Sequence, residues 1–189
     1  MPPTSPQSTD GRPLCFALTA TATQRREPEA REWLQGPQDL ADWIRAAVPD
    51  LPPGDLAVDG TLLRLARDLR EAVYRTAARV AEGSTPSAED RRTINEWAAR
   101  NDAVRLLDDA GARWQIPPGS PARTALSLVA IDAVEVLGGA RDGTVKVCSG
   151  ERCAAAFVDT SRGRSRRWCS MGTCGNRAKR SAMRARRTS

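Results

Sequence analysis

The chain has 189 residues, 40% of them hydrophobic and 28% charged, with no histidine and a formal net charge of +6. This suits one modest core plus a small module. It excludes spanning helices, since no run reaches 18 apolar residues, and it excludes histidine-based catalysis.

Residues 1–13 are rich in Pro, Ser and Thr and are expected to be disordered. Met1-Pro2-Pro3 opens no signal peptide, which points to the reducing cytoplasm. Leu14-Cys15-Phe16-Ala17-Leu18 alternates large and small side chains and reads as a strand. Cys15, the odd cysteine, reads as a small core residue. Leu40, Trp43, Ile44 and Ala47 recur at helical spacing over 38–48, and Pro49, Pro52 and Pro53 stop that helix. A longer helix over 61–82 carries Leu62, Leu65, Ala66, Leu69, Val73, Ala77 and Val80 on one face, with Gly83 closing it. Ser87 caps a third helix that turns Ile94 and Trp97 inward. Val104–Leu107 and Ala112–Ile116 flank Asp108-Asp109-Ala110-Gly111 as a hairpin. Ser120-Pro121 starts a buried helix striped by Leu126, Val129, Ala130, Ala133, Val134 and Leu137, which Gly138-Gly139 end. Val145 and Val147 form a short strand leading into Cys148. Trp33, Trp43, Trp97 and Trp114 read as core residues. No Gly-rich phosphate loop is present, and carboxylates such as Glu89-Asp90 sit where caps want them.

The last quarter carries the chemistry. Cys148, Cys153, Cys169 and Cys174 form two C-x4-C pairs separated by a fifteen-residue insert. Two short-spaced pairs supply four soft ligands for a tetrahedral Zn2+ with little loop-closure entropy. Four thiolates leave no open position for water, so such a site is structural and its binding energy is folding energy. Two disulfides would need an oxidising compartment, and four free thiols would make the pairing a coincidence. From Arg141 to Ser189 there are 13 Lys or Arg against 3 Asp or Glu, a net of +10, while residues 1–140 carry a net of −4. Such asymmetry is the footprint of a nucleic-acid binder. Arg162, Arg164, Arg166 and Arg167 lie in the insert, read as a hairpin tip. Beyond Cys174 an Ala- and Arg-rich helix places Arg177, Arg180, Arg184 and Arg187 on one face. Ala178, Ala182 and Ala185 lie on another, suited to pack on the zinc loops. The bland alternative is a solvated basic tail. Trp168, beside Cys169, reads as a cover for the thiolates, with base stacking as the alternative.

The run V-C-S-G-E-R-C-A-A-A-F-V-D-T-S-R-G-R-S-R-R-W-C-S-M-G-T-C-G-N-R-A-K-R resembles the CGNR zinc finger, named for the residues that are here Cys174-Gly175-Asn176-Arg177. The resemblance covers about 40 residues. It implies a preceding, mostly helical ABATE domain of the kind found in stress-induced transcription regulators, and DNA binding by the finger. The family often has an acidic residue and an Asn-Thr pair near the start. Ala17, Ala20 and Thr21 stand at the corresponding positions here.

The expected fold class is α+β. A mainly helical domain with a small β-sheet (14–140) precedes a four-cysteine zinc module made of a β-hairpin and one helix (141–189). The two parts are expected to have separate cores. The expected function is double-stranded DNA binding by a non-enzymatic transcription regulator, cytoplasmic and nucleoid-associated. Its N-terminal domain would sense a small-molecule effector, bind a partner or form a homodimer. The alternative is a zinc module that binds protein or RNA. No membrane partner is expected.

Overall fold

In a computed structural model, residues 11–187 and the side chains of 11–186 are described. The elements run α1 (Leu14–Thr19), β1 (Ala22–Thr23), β2 (Arg31–Glu32), α2 (Pro37–Ala47), α3 (Gly60–Ala81), α4 (Ala88–Ala98), β3 (Val104–Asp108), β4 (Gly111–Gln115), α5 (Pro121–Leu137), β5 (Thr144–Val147), β6 (Ala156–Asp159) and α6 (Asn176–Arg187). The strands pair as three antiparallel two-stranded sheets, β1 with β2, β3 with β4, and β5 with β6. The class is α+β. The expectation for residues 1–10 lies outside the described residues.

Periodicity places α2 to α5 well, except that Val134 of the expected α5 stripe is 44% exposed. Leu62, Ala66, Leu69, Val73 and Ala77 are buried on α3, whose start Asp59 caps by accepting the Leu62 N–H at 2.6 Å. Ser87 caps α4 by accepting the Asp90 N–H at 3.0 Å. Ser120 precedes Pro121 as expected, but only its carbonyl serves α5, accepting the Thr124 N–H at 3.0 Å. Helix α5 is buried on most of its circumference because α1, α3 and α4 surround it.

Residues 14–18 are helical, not a strand. All five residues from Cys15 to Thr19 are buried, so alternation of side-chain size carries no face signal there. The Pro13 carbonyl starts the helix by accepting the Phe16 and Ala17 N–H groups, and the free Cys15 N–H donates to Asp132 Oδ2 at 2.8 Å. Cys15 itself is fully buried, and burial pushes its thiol pKa up. Trp43 and Trp97 are core residues, whereas Trp33 and Trp114 are half-buried. Arg31 stacks on Trp33 at 3.9 Å and Arg105 on Trp114 at 5.0 Å, so a cation covers each ring, while Trp114 also packs against the core. Away from Trp114 the β3–β4 hairpin leaves Leu107 85% exposed.

A buried ion network joins α3 to the β1–β2 sheet. Arg70, 6% exposed, pairs with Glu32 at 2.7 Å and Glu71 at 2.7 Å, and donates to Thr21 Oγ1 at 3.2 Å. Arg25 closes the network on Glu71 at 2.7 Å. Burial is the largest single effect and works against both carboxylates, yet the hydrogen bonds and charges of Arg70 on Glu32, and of Arg25 and Arg70 on Glu71, together outweigh it and hold both pKa values down.

The two parts of the chain do not have separate cores. Val145 of β5 and Ala156 of β6 belong to the same buried cluster as Leu69, Val73 and Leu126, and Val158 packs on it. Sheet β5–β6 docks on α3 through the apolar face of its alternating strands, a contact no local pattern encodes.

Candidate metal centre

Cys148 ends β5 and Cys153 precedes β6, so the first cysteine pair occupies the tip of the β5–β6 hairpin. The Cys153 N–H donates to the Gly150 carbonyl at 3.0 Å and closes that turn. Of the second pair, Cys169 precedes and Cys174 lies within a π-helical turn over Met171–Gly175, which runs directly into α6. Ser170 opens the turn by accepting the Thr173 N–H at 3.2 Å, and its carbonyl accepts the Gly175 N–H at 3.0 Å. A bond from the Ser149 N–H to the Arg167 carbonyl, 2.9 Å, ties the two cysteine loops together.

These turns bring the four Sγ atoms within 4.8 Å of one another. Cys153 and Cys169 are 3.7 Å apart and Cys169 and Cys174 3.8 Å. Zinc–sulfur bonds of about 2.3 Å at tetrahedral angles require edges of about 3.8 Å. The donor set therefore fits one zinc ion with all four thiolates. The Gly150 and Cys169 N–H groups each point at Cys148 Sγ, 3.4 Å away, as donors to a thiolate. Gly150 fits tightly here, since a Cβ on it would lie 3.3 Å from Cys174 Sγ and 3.1 Å from Cys153 Cβ and would push the thiols apart by a few tenths of an ångström. Without a cation the four thiols compete. Hydrogen bonds from Cys153 and Cys169 lower Cys148, the bond to Cys148 raises Cys169, and burial with neighbouring thiolates pushes Cys174 up to about 12. A divalent cation relieves this conflict by favouring deprotonation of all four.

The apolar surround is Phe157, buried among Cys148 and Cys174, with Trp168 packed against them. Trp168 thus covers the thiols, as its position in the sequence suggests. Arg167 lies over its ring at 5.3 Å.

The arginine insert is not a hairpin tip. It follows β6 as a loop folded around Asp159, a residue sequence reasoning passed over. Fully buried, Asp159 accepts from Lys146 Nζ at 2.8 Å, Ser161 Oγ at 2.6 Å and the Arg166 N–H at 2.8 Å. The Lys146 and Ser161 bonds hold its carboxyl well below the usual carboxylate range. As the lone acidic residue among the arginines of the insert, it carried a signal of its own. Asp159→Asn replaces an acceptor with a donor facing the Lys146 ammonium. The expected result is retained zinc with faster amide exchange over 160–168. Unchanged protection there would show that the loop holds its shape without the carboxylate.

The predicted contact arginines divide. Arg164 is committed to Asp142 and to the Asp159 carbonyl, both at 2.6 Å. Arg166 reaches the Trp168 carbonyl at 2.8 Å and the Cys169 carbonyl, and stacks on Phe157 at 4.9 Å. Arg162 and Arg167 are exposed, as are Arg177, Arg180 and Arg184 on α6. The side chain of Arg187 lies outside the described residues. Ala182 and Ala185 are exposed and Ala178 is half-buried, so the alanine face does not pack on the metal loops. Helix α6 rests on the π-helical turn, where Asn176 Nδ2 donates to the Gly172 carbonyl at 3.1 Å. Gly175 is buried, and a Cβ there would press on Met171 Cε at 3.3 Å.

No helix among the described residues is long and apolar enough to cross a membrane. The chain matches no protein among the curated sequences searched. Two family models match it, neither of them an enzyme family. The CGNR zinc finger matches residues 144–187, and with the four-thiol cluster this makes Zn2+ the cofactor of the chain. The model described as "Putative stress-induced transcription regulator" matches residues 12–140, more than half the sequence. The chain belongs to the ABATE family and ends in a CGNR zinc finger.

Proposed function

We propose that this chain is a zinc-finger DNA-binding protein that acts as a transcription regulator in the cytoplasm, at the nucleoid. Cys148, Cys153, Cys169 and Cys174 supply four thiolates to one structural zinc. Residues 14–140 form a sensing domain, open to an effector, a partner or a second copy, and 141–189 form the DNA-binding module. One observation carries the reading. Exposed cations flank a single metal centre on two arms, Arg162 and Arg167 on the insert and Arg177, Lys179, Arg180, Arg184 and Arg186 on α6. Of the three acids in this segment, residues 141–189, Asp159 is buried under Lys146 and Asp142 is paired with Arg164, which leaves Glu151 as the one exposed carboxylate against these cations. A duplex offers phosphates at the spacing such arms need, and each neutralised phosphate releases counterions.

Replacing Arg180 and Arg184 together with Ala keeps the helix, since Ala is the best helix former. In a duplex titration the slope of log K against log salt is expected to flatten by up to about 2, with all sequences weakened alike. An unchanged slope would remove α6 from the interface and leave the insert as the candidate. Tighter binding to structured RNA or an acidic polypeptide than to duplex in the same assay would decide for the alternative partner.

A further inference from the structure

Between the C-terminal half of α3 and the metal loops lies a cleft of about 600 Å³, within the range of small-molecule sites. Its apolar floor is Tyr74, Ala78 and Ala81 of α3 with Val147 and Ala154 of the finger. Arg25 and Lys146 also line it, but their charges are answered by Glu71 and Asp159. The remaining cations are Arg26, Arg166 and Arg167, facing one carboxylate, Glu82. Among the described residues none of these three arginines forms an ion pair. Arg166 is turned onto the Trp168 and Cys169 carbonyls, so two guanidiniums, Arg26 and Arg167, line the apolar floor without an ion-pair partner among the described residues, with Glu82 as the lone carboxylate of the lining outside the Arg25 and Lys146 pairs.

We propose that this cleft binds a small organic anion, a molecule with a phosphate or carboxylate group and an apolar body. The anionic group sits against the forked donors of Arg26 and Arg167. The body covers the Tyr74 and Ala81 surface. A duplex is too wide to enter, and a single backbone phosphate would leave the floor bare. The position also explains what the anion could do. Arg26 donates to the Cys148 carbonyl at 3.1 Å, and the Arg167 carbonyl accepts the Ser149 N–H at 2.9 Å. An occupant gripping both arginines therefore bears on both cysteine loops from the α3 side. The inference rests on the sensing role proposed above. Dye binding is measured without DNA, which enters only as a competitor, so loss of dye binding leaves the DNA-binding reading standing.

The probe is 8-anilinonaphthalene-1-sulfonate, an organic anion with an apolar body, titrated by fluorescence into the full zinc-loaded chain. Saturation at one dye per chain and displacement by inorganic pyrophosphate are expected. Arg167→Gln, an exposed change, should weaken binding about tenfold, the loss of one charge-assisted contact. Arg26→Gln should do the same at unchanged zinc content. Ala81→Leu fills the floor with every charge intact and should also weaken binding about tenfold. Arg92→Gln, exposed on α4 outside the cleft, should change nothing. Equal weakening by Arg92→Gln, or full binding in both Arg167→Gln and Ala81→Leu, would overturn the site. Displacement by duplex DNA but not by pyrophosphate would overturn the small-anion reading and assign the cleft to nucleic acid.

Discussion

Cys148→Ser is expected to lose zinc and to destabilise the whole chain, not its last quarter alone. Structural zinc contributes about 10–16 kcal/mol to the folding of a finger at neutral pH, more than a small domain's entire margin. Without it the two cysteine loops are held only by the Ser149–Arg167 backbone bond and the small Phe157 and Trp168 cluster. Strands β5 and β6 then loosen, and with them Val145 and Ala156, which belong to the main buried cluster. Arg26 and Arg152, bonded to the Cys148 carbonyl and to Glu27, lose their anchor points as well. Hydrogen exchange reads the outcome directly. Amides of α3 around Leu69–Val80 should lose protection in the variant and in chelator-treated wild type. Full protection of α3 with the metal gone would mean that the helical part stands alone.

Arg70→Met is expected to cost about 3 kcal/mol at neutral pH, the low end of the penalty for breaking a buried ion pair. Arg70 is buried, whereas Glu32 and Glu71 keep 30% and 32% exposure, so water partly recovers the stranded carboxylates. Glu71 also retains Arg25. The pH dependence separates this from a packing loss. Both glutamates have folded pKa values below the ordinary 4.5, so their contribution is complete above that value and fades as pH falls through the lowered one. The stability gap between wild type and variant in urea unfolding should therefore narrow below pH 4.5. A gap that stays constant through the acid range would assign the effect to packing.

What the sequence made legible was local. Cysteine spacing announced the metal centre because the four thiols need only two turns, and the stripe of α3 announced its buried face because periodicity is a property of one helix. Four other features depend on what lies across space. Residues 14–18 looked like a strand because no sequence window shows that α5 and α3 enclose them. Asp159 and Phe157 were passed over because their partners, Lys146 and the thiols, come from both sides of the hairpin. The alanines of α6 were placed on one face correctly, yet periodicity cannot say whether anything faces them. Nor could it reveal that β5–β6 completes the helical core.

The way α6 leaves the metal centre has a further consequence. A helix of 12 residues in water is marginal, because its first turn must be fixed before any hydrogen bond rewards it. Here the turn over Met171–Gly175 is already wound when α6 begins, so it serves as a ready nucleus for the coil that follows. Propagation beyond it runs against repulsion between cations spaced at i, i+3 and i, i+4, Arg177 with Arg180 and Arg180 with Arg184. The length of helix in solution is thus a balance between a seed set by the metal and a charge density that a polyanion neutralises. On the proposed DNA-binding reading, the metal decides whether this arm can start, and the phosphates it meets decide how far it extends.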